Sequence, residues 1–205
     1  MPTSNATPIE LEPQDWHRYP CRVHDALIVT GDLAPDPDTA RRQLAEWVAV
    51  GVTDIVDVRD EWSDEPFVAE HAPEISYHWF GTDDNGGSRR AAWFDGVLAA
   101  VGDTALDPTA VVLVHCHMGV NRGPSMALRL LLHQGWDAVD ALTAIRAARP
   151  IANLLYAVDA VEHHHLTTGS SAAERVRDAR RVAEWRAEHP IDVRWVISRI
   201  RTATH

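Results

Sequence analysis

Val111-Val-Leu-Val-His-Cys-His-Met-Gly-Val-Asn-Arg-Gly-Pro-Ser125 places the rest of the chain around it. Its first four residues are apolar and three are β-branched, which predicts a short strand buried on both faces. The strand is expected to stop at His115-Cys116, and a long helix with apolar periodicity to begin at about Arg122. The five residues between them include Gly119, where the backbone must turn tightly or approach a ligand closely. Cys116 then sits at the C-terminal end of a central strand, beneath the first turn of the next helix. Unpaired amides and the positive end of the helix dipole converge there on an anion. The same field favours a thiolate over a thiol. Arg122, six positions on, offers a planar fork matched to two oxygens of a phosphate. A thiolate beneath a cradled tetrahedral anion is equipped to attack phosphorus.

Downstream of this stretch, Met126, Leu130 and Leu131 predict a helix with one buried side, ended by Gly135. Asp137 opens another helix through Val139, Leu142 and Ile145, which stops before Pro150, and a third is expected over Leu154 to His165. Upstream, Val23 to Thr30 reads as one strand and Asp54 to Val58 as another. Between them Pro35-Asp36-Pro37-Asp38 supplies the N-cap of a helix from about Thr39 to Val50. A short helix is expected within residues 62–73, and Ile75 to Phe80 reads as a strand. That strand runs into Gly81-Thr-Asp-Asp-Asn-Gly-Gly87, a loop of acids, amides and glycines, after which Ser88 caps a helix carrying Trp93, Val97, Ala100 and Val101. Strands alternating with helices imply an α/β domain with a central, largely parallel sheet flanked by helices. Residues 1–14 hold three prolines and read as a flexible tail, and residues 15–168 as the domain itself. Residues 171–205 read as a helical C-terminal extension, begun by the capping box Ser171-Ala-Ala-Glu174 and continued by a last helix over Asp192 to Arg201.

The chain has 205 residues and a net charge of −11, which disfavours nonspecific binding to nucleic acid. Its 19 basic residues are all Arg. Residues 1–170 hold 11 Arg against 25 acids, whereas 171–205 hold 8 Arg against 5, so the extension is expected to pack on the domain or on a second copy as a homodimer. No run of 18 apolar residues suggests a membrane span, and the N-terminus lacks the pattern of a signal peptide. Two distant cysteines, Cys21 and Cys116, make no disulfide framework, so a reducing cytoplasm fits best, and a regulatory Cys21–Cys116 disulfide stays open.

The run His115-Cys116-His117-Met118-Gly119-Val120-Asn121-Arg122 resembles the His-Cys-x5-Arg signature of the protein tyrosine and dual-specificity phosphatases. Gly135-Trp-Asp-Ala-Val-Asp-Ala-Leu and Arg149-Pro-Ile-Ala-Asn153 resemble the segment that follows it in dual-specificity phosphatases, and Gly31 to Asp60 the opening unit of the bacterial ones. The resemblance covers residues 23–166; none is found for 171–205. It implies a phosphotyrosine-phosphatase-like fold with Cys116 as nucleophile and Arg122 and the amides of residues 117–122 holding the phosphate. An Asp on the upstream loop would protonate the leaving oxygen, and the family's spacing favours Asp84 over Asp83. Asn153 matches a residue that supports the phosphate loop, and His115 is expected to orient that loop through hydrogen bonds. His117 points into the loop to aid anion binding, or lies on the surface. Arg59 either touches substrate or pairs with a nearby acid, and Arg89 and Arg90 flank the acid loop. One departure stands out: the family has Ser or Thr after the Arg, where this chain has Gly123, leaving Ser125 as the nearest hydroxyl.

These features imply a phosphatase acting on phosphotyrosine, phosphoserine or phosphothreonine in proteins, or on small phosphate esters, through a cysteinyl-phosphate and without metal or other cofactor. His115-Cys116-His117 with His163 to His165 could be read as a metal site, but adjacent strand residues face opposite sides and cannot all ligate one ion. Phosphoinositide phosphatases carry loop lysines that this chain lacks. The rhodanese-related phosphatases share His-Cys-x5-Arg-Gly-Pro but not Gly119 or the later run. A phosphate-binding pseudophosphatase is the alternative that Gly123 raises.

Overall fold

The computed structural model describes residues 16–203. The tail expected over residues 1–14 lies outside them. The described strands are β1 (Cys21–His24), β2 (Leu27–Thr30), β3 (Asp54–Arg59), β4 (Ser76–Thr82) and β5 (Val112–His115), in the sheet order β1-β2-β5-β3-β4. β1 pairs antiparallel with β2; all the other pairings are parallel. The single strand expected over Val23 to Thr30 is therefore a hairpin, because Asp25-Ala26 turns the chain and returns the apolar Leu27–Val29 to the sheet centre.

The helices are α1 (Pro37–Ala49), α2 (Glu65–His71), α3 (Ala91–Val101), α4 (Arg122–His133), α5 (Ala138–Ala148), α6 (Ala157–Thr168), α7 (Ala172–Glu188) and α8 (Val193–Ala203). Side chains alternate across the sheet with the period of two that extended backbone imposes. Leu27, Val29, Val56, Val58, Val112 and Val114 join the core shared with α3 to α7, while Ile28, Ile55 and Leu113 face α1 and α2. Both faces of the central strands are thus covered, as a parallel sheet requires.

The helix after β5 departs from the one-sided expectation, because all its residues but His133 are buried. It opens on Arg-Gly-Pro, a poor helix-forming sequence. Gly costs about 1 kcal/mol, whereas Pro in the first turn sacrifices an amide with no intrahelical partner anyway. Burial of Met126, Leu128, Leu130, Leu131 and Leu132 outweighs this, at about 1.5–3 kcal/mol each. Two other helix starts shift. α3 begins at Ala91 with Arg90 rather than Ser88 in the N-cap position. α6 begins at Ala157 because Leu154 adopts a left-handed backbone (φ 52°) that interrupts the helix before it starts. The capping box at Ser171 and Glu174 forms with both of its hydrogen bonds. No helix among the described residues is long and apolar enough to cross a membrane.

Candidate active site

Cys116 follows β5 at the middle of the sheet, where the chain leaves the carboxyl ends of three parallel strands. Crevices at such ends are where α/β sheets bind ligands. The loop from Cys116 to Arg122 owes its shape to its carbonyls. That of His117 accepts from Asp32 N (3.2 Å), and that of Val120 from Asn153 N (2.8 Å). Arg149, buried among them, donates to the carbonyls of Gly119 (2.6 Å) and Met118 (3.1 Å), and Ser125 N donates to that of Asn121 (3.0 Å). In a planar trans peptide the amide points opposite to its carbonyl. Carbonyls held outward from 117 to 121 therefore turn the amides of residues 118 to 122 the other way. Gly119 has φ 62°, and a Cβ there would collide with the Arg149 guanidinium and come within 2.6 Å of Thr30 O. No other residue fits that position.

Asn121 is the N-cap of α4, yet its side chain makes no capping bond. Its Oδ1 accepts from Asn153 Nδ2 (2.9 Å), and its Nδ2 donates to Asp84 Oδ2 (3.1 Å). The first-turn amides of α4 are left for an anion rather than for their own cap. Asp84 Oδ1 accepts from the Tyr156 hydroxyl (2.6 Å), and Oδ2 lies 4.0 Å from Arg122 Nε. Asp83 points elsewhere, pairing with Arg89 and accepting from Asn85. The two acids that spacing alone left adjacent are thus separated: Asp84 reaches the cysteine loop, and Asp83 does not.

Arg122 is buried, and Glu61 meets it with both oxygens (2.6 and 2.9 Å), while Asp60 (3.1 Å) and the Thr82 carbonyl (2.8 Å) take further contacts. Burial opposes its charge, but Glu61, Cys116 and Asp84 together raise its pKa above the ordinary arginine value. Burial would likewise raise Glu61, yet the hydrogen bonds and charge of Arg122 bring that carboxyl down to about 2. Arg122 Nε has no hydrogen-bond partner among the described residues.

Three side chains of this stretch make their contacts away from the loop interior. His115 is buried beside Trp47, with Nε2 3.8 Å from Asp57 and Nδ1 without a hydrogen-bond partner among the described residues, and none of these contacts ties it to the loop. Its imidazole is held below the ordinary histidine pKa, chiefly by burial. His117 turns away from the loop interior: Nδ1 lies 2.6 Å from the buried Asp32, and the ring meets the edge of Trp62. Ser125 spends its hydroxyl accepting from Tyr156 N (3.2 Å), and no hydrogen bond joins it to the sulfur. Gly123 lies there instead, and a Cβ on it would stand 3.5 Å from Cys116 Sγ.

Solved structures share this arrangement of strands and helices. Human DUSP28 superposes with a TM-score of 0.58 at 22% identity, over 73% of this chain and 99% of its own. A mouse putative dual specificity phosphatase, complexed with zinc tungstate, gives 0.60 at 20% identity, over 81% and 96%. The human tyrosine phosphatase-like serine/threonine/tyrosine-interacting protein gives 0.56 at 16%, over 74% and 99%. The fold is that of the dual-specificity phosphatases. No family model matches the sequence, and no curated protein does either.

Within this phosphatase fold, sequence reading missed Arg149, Tyr156 and Glu61. Arg149 stands in a run that was recognised, but its part in holding the loop needs His17, Met118 and Gly119 brought together. Tyr156 had no local signal at all. Arg59 is buried against Asp57, Asp64 and Asp32 and takes the ion-pair alternative. Arg89 knots the acid loop, donating to Thr82 Oγ1 (3.0 Å) and Asn85 Oδ1 (2.8 Å), with its guanidinium over the Tyr156 ring. Arg90 is exposed at the start of α3. Cys21 is a free thiol near Arg149 Nη1 (3.4 Å), behind the loop.

Proposed function

We propose that this chain is a cysteine-dependent phosphatase that hydrolyses phosphate monoesters, with phosphotyrosine, phosphoserine or phosphothreonine in proteins as the substrate class. The observation that carries the reading is the bond from Asn121 to Asp84, which brings a carboxyl group to the same loop that presents Cys116 and Arg122. Cys116 as thiolate attacks phosphorus, and the bond to the leaving oxygen breaks as Asp84 delivers its proton. The loop amides and the Arg122 fork take the charge of the equatorial oxygens. Water then attacks the cysteinyl-phosphate, Asp84 accepts its proton, and phosphate leaves with the thiolate restored. Substrate must displace Glu61 from at least one nitrogen of Arg122, so that carboxylate competes with the phosphate it will yield to.

Turnover of para-nitrophenyl phosphate by the wild type, and none by Cys116→Ser, is the expected outcome. Equal rates from both proteins would remove the reading. A phosphate-binding protein without turnover is the second reading, favoured by Gly123. It predicts that Cys116 is protected from iodoacetate by phosphate while no ester is hydrolysed.

A further inference from the structure

The last helix is not a distant appendage. Val196 and Ile200 of α8 are buried with Val120, the middle of the phosphate loop, and Met118, Ile151, Ile191 and Val193 close around them. This cluster stands apart from the two cores that flank the sheet. Met118 and Val120 bracket Gly119, the position with left-handed backbone. Their carbonyls are held by Arg149 and Asn153 on one side, and their side chains are covered by α8 on the other.

α7, which leads into α8, is tied to the domain. Arg181 of α7 donates to both oxygens of Asp137 (2.8 and 3.0 Å), and Trp185 donates to Thr143 Oγ1 (3.1 Å). Arg146 of α5 donates to the carbonyl of His189, where α7 ends, and also to that of Ala152, one residue before Asn153. A single side chain thus ties the end of α7, four residues before α8, to the segment whose Asn153 N–H holds the Val120 carbonyl.

We infer that α8 is a positioning element of the phosphate loop, with Val196 and Ile200 holding Met118 and Val120 so that the loop keeps its anion-binding shape. The inference rests on the phosphatase reading above and adds to it a segment, residues 171–205, for which the sequence offered no relative. An apolar clamp suits this task because packed side chains resist small displacements that hydrogen bonds at exposed loops allow. Binding geometry is sensitive at that scale: a misplacement of about 1 Å can cost about 100-fold.

The test uses the full chain with Val196→Ala/Ile200→Ala, and Val182→Ala as a comparison. Val182 lies in the same extension and is fully buried, but belongs to the main core and not to the cluster around Val120. Inorganic phosphate should need to be about tenfold more concentrated to protect Cys116 from iodoacetate in the double variant, with a matching rise in KM for para-nitrophenyl phosphate. Val182→Ala should lower the melting temperature and leave phosphate protection as in wild type. Should circular dichroism show the double variant unfolded, Val196→Thr, which keeps the side-chain shape, carries the same comparison. Unchanged protection in the folded variant, or equal loss in both variants in step with stability, would overturn the role of α8. A wild type that phosphate does not protect would overturn the phosphatase reading itself, and this inference with it.

Discussion

The phosphate loop and the acid loop meet where Asn121 donates to Asp84 and Arg122 to the Thr82 carbonyl, yet they are built in opposite ways. Residues 116–122 are held through their backbone, each carbonyl from 117 to 121 taken by a donor outside the hydrogen-bonding pattern of a helix or strand, or by the first turn of α4. Residues 82–87 are mostly exposed and are held by side chains, chiefly Arg89, Tyr156 and Asn121. Backbone anchoring suits a cradle whose amides must not move, because electrostatic stabilisation depends on groups already in place. Side-chain anchoring suits a proton donor that must approach and withdraw with each substrate. The contrast predicts that the first loop fails as a unit while the second loses function in steps.

Gly119→Ala attacks the rigid side. The added methyl meets Arg149 and Thr30 and requires a backbone conformation that L-residues resist. Turnover of para-nitrophenyl phosphate should fall to the level of Cys116→Ser while far-ultraviolet circular dichroism stays native. Activity within threefold of wild type, a difference of about 0.7 kcal/mol, would show the loop to be as adaptable as its partner. Asp84→Asn comes next, with kcat lowered by about 10²–10⁴ and less for substrates with good leaving groups. Asp83→Asn, whose side chain faces Arg89, should change it far less.

Gly123→Ser should raise kcat rather than lower it. A hydroxyl placed near Sγ stabilises the thiolate leaving phosphorus, and a hydrogen bond to a charged group is worth about 1.5–3 kcal/mol, or about 10- to 100-fold. Wild type should then show a rapid burst of product and slow turnover, and the variant a smaller burst with kcat/KM nearly unchanged. The serine Cβ would stand 3.3 Å from Cys116 N, a tight contact that the backbone must relieve by a few tenths of an ångström, and the gain in kcat requires that shift. Ser125→Ala is the comparison; because that hydroxyl serves Tyr156 N, it should not accumulate phosphoenzyme.

Tyr156→Phe removes one of the two donors to Asp84 and should cost kcat about tenfold, less than loss of the acid itself. Desolvation first, then the hydrogen bond and charge of Asp84, push that phenol up to about 12, so it remains a donor across the neutral range. The smallest effect lies outside both loops. Burial, followed by Arg129 and the neighbouring histidines, pushes His164 down to about 4. An unfolded chain takes up that proton near pH 6.5, so the group costs no stability above 6.5 and lowers it progressively as pH falls toward 4. His164→Leu should flatten the decline of melting temperature between pH 7 and 5 and leave the ratio of Asp84→Asn to wild-type kcat untouched.

Much of the architecture can be read locally. Four apolar residues, a glycine and a second apolar run suffice to place β5, the turn and α4, since torsional preference and side-chain period act within a few positions. The errors arose where a tertiary contact overruled that local pattern. Asp25-Ala26 looked like the middle of a strand, and only pairing with β5 shows Leu27–Thr30 to be a separate one. Leu154 looked like the start of a helix, but its left-handed turn brings Asn153 N to the Val120 carbonyl.

What the chain determined by itself is therefore the alternation of strands and helices and the placing of a cysteine, a glycine and an arginine between β5 and α4. Periodicity and backbone preference encode those within a short window. Which distant groups close around that turn was decided only by the tertiary structure. Arg149 meets His17 across 132 positions, Tyr156 meets Asp84 across 72, and α8 returns to cover Val120. Such meetings depend on how sheet and helices pack, and no spacing along the chain records which donors packing will bring to which acceptors.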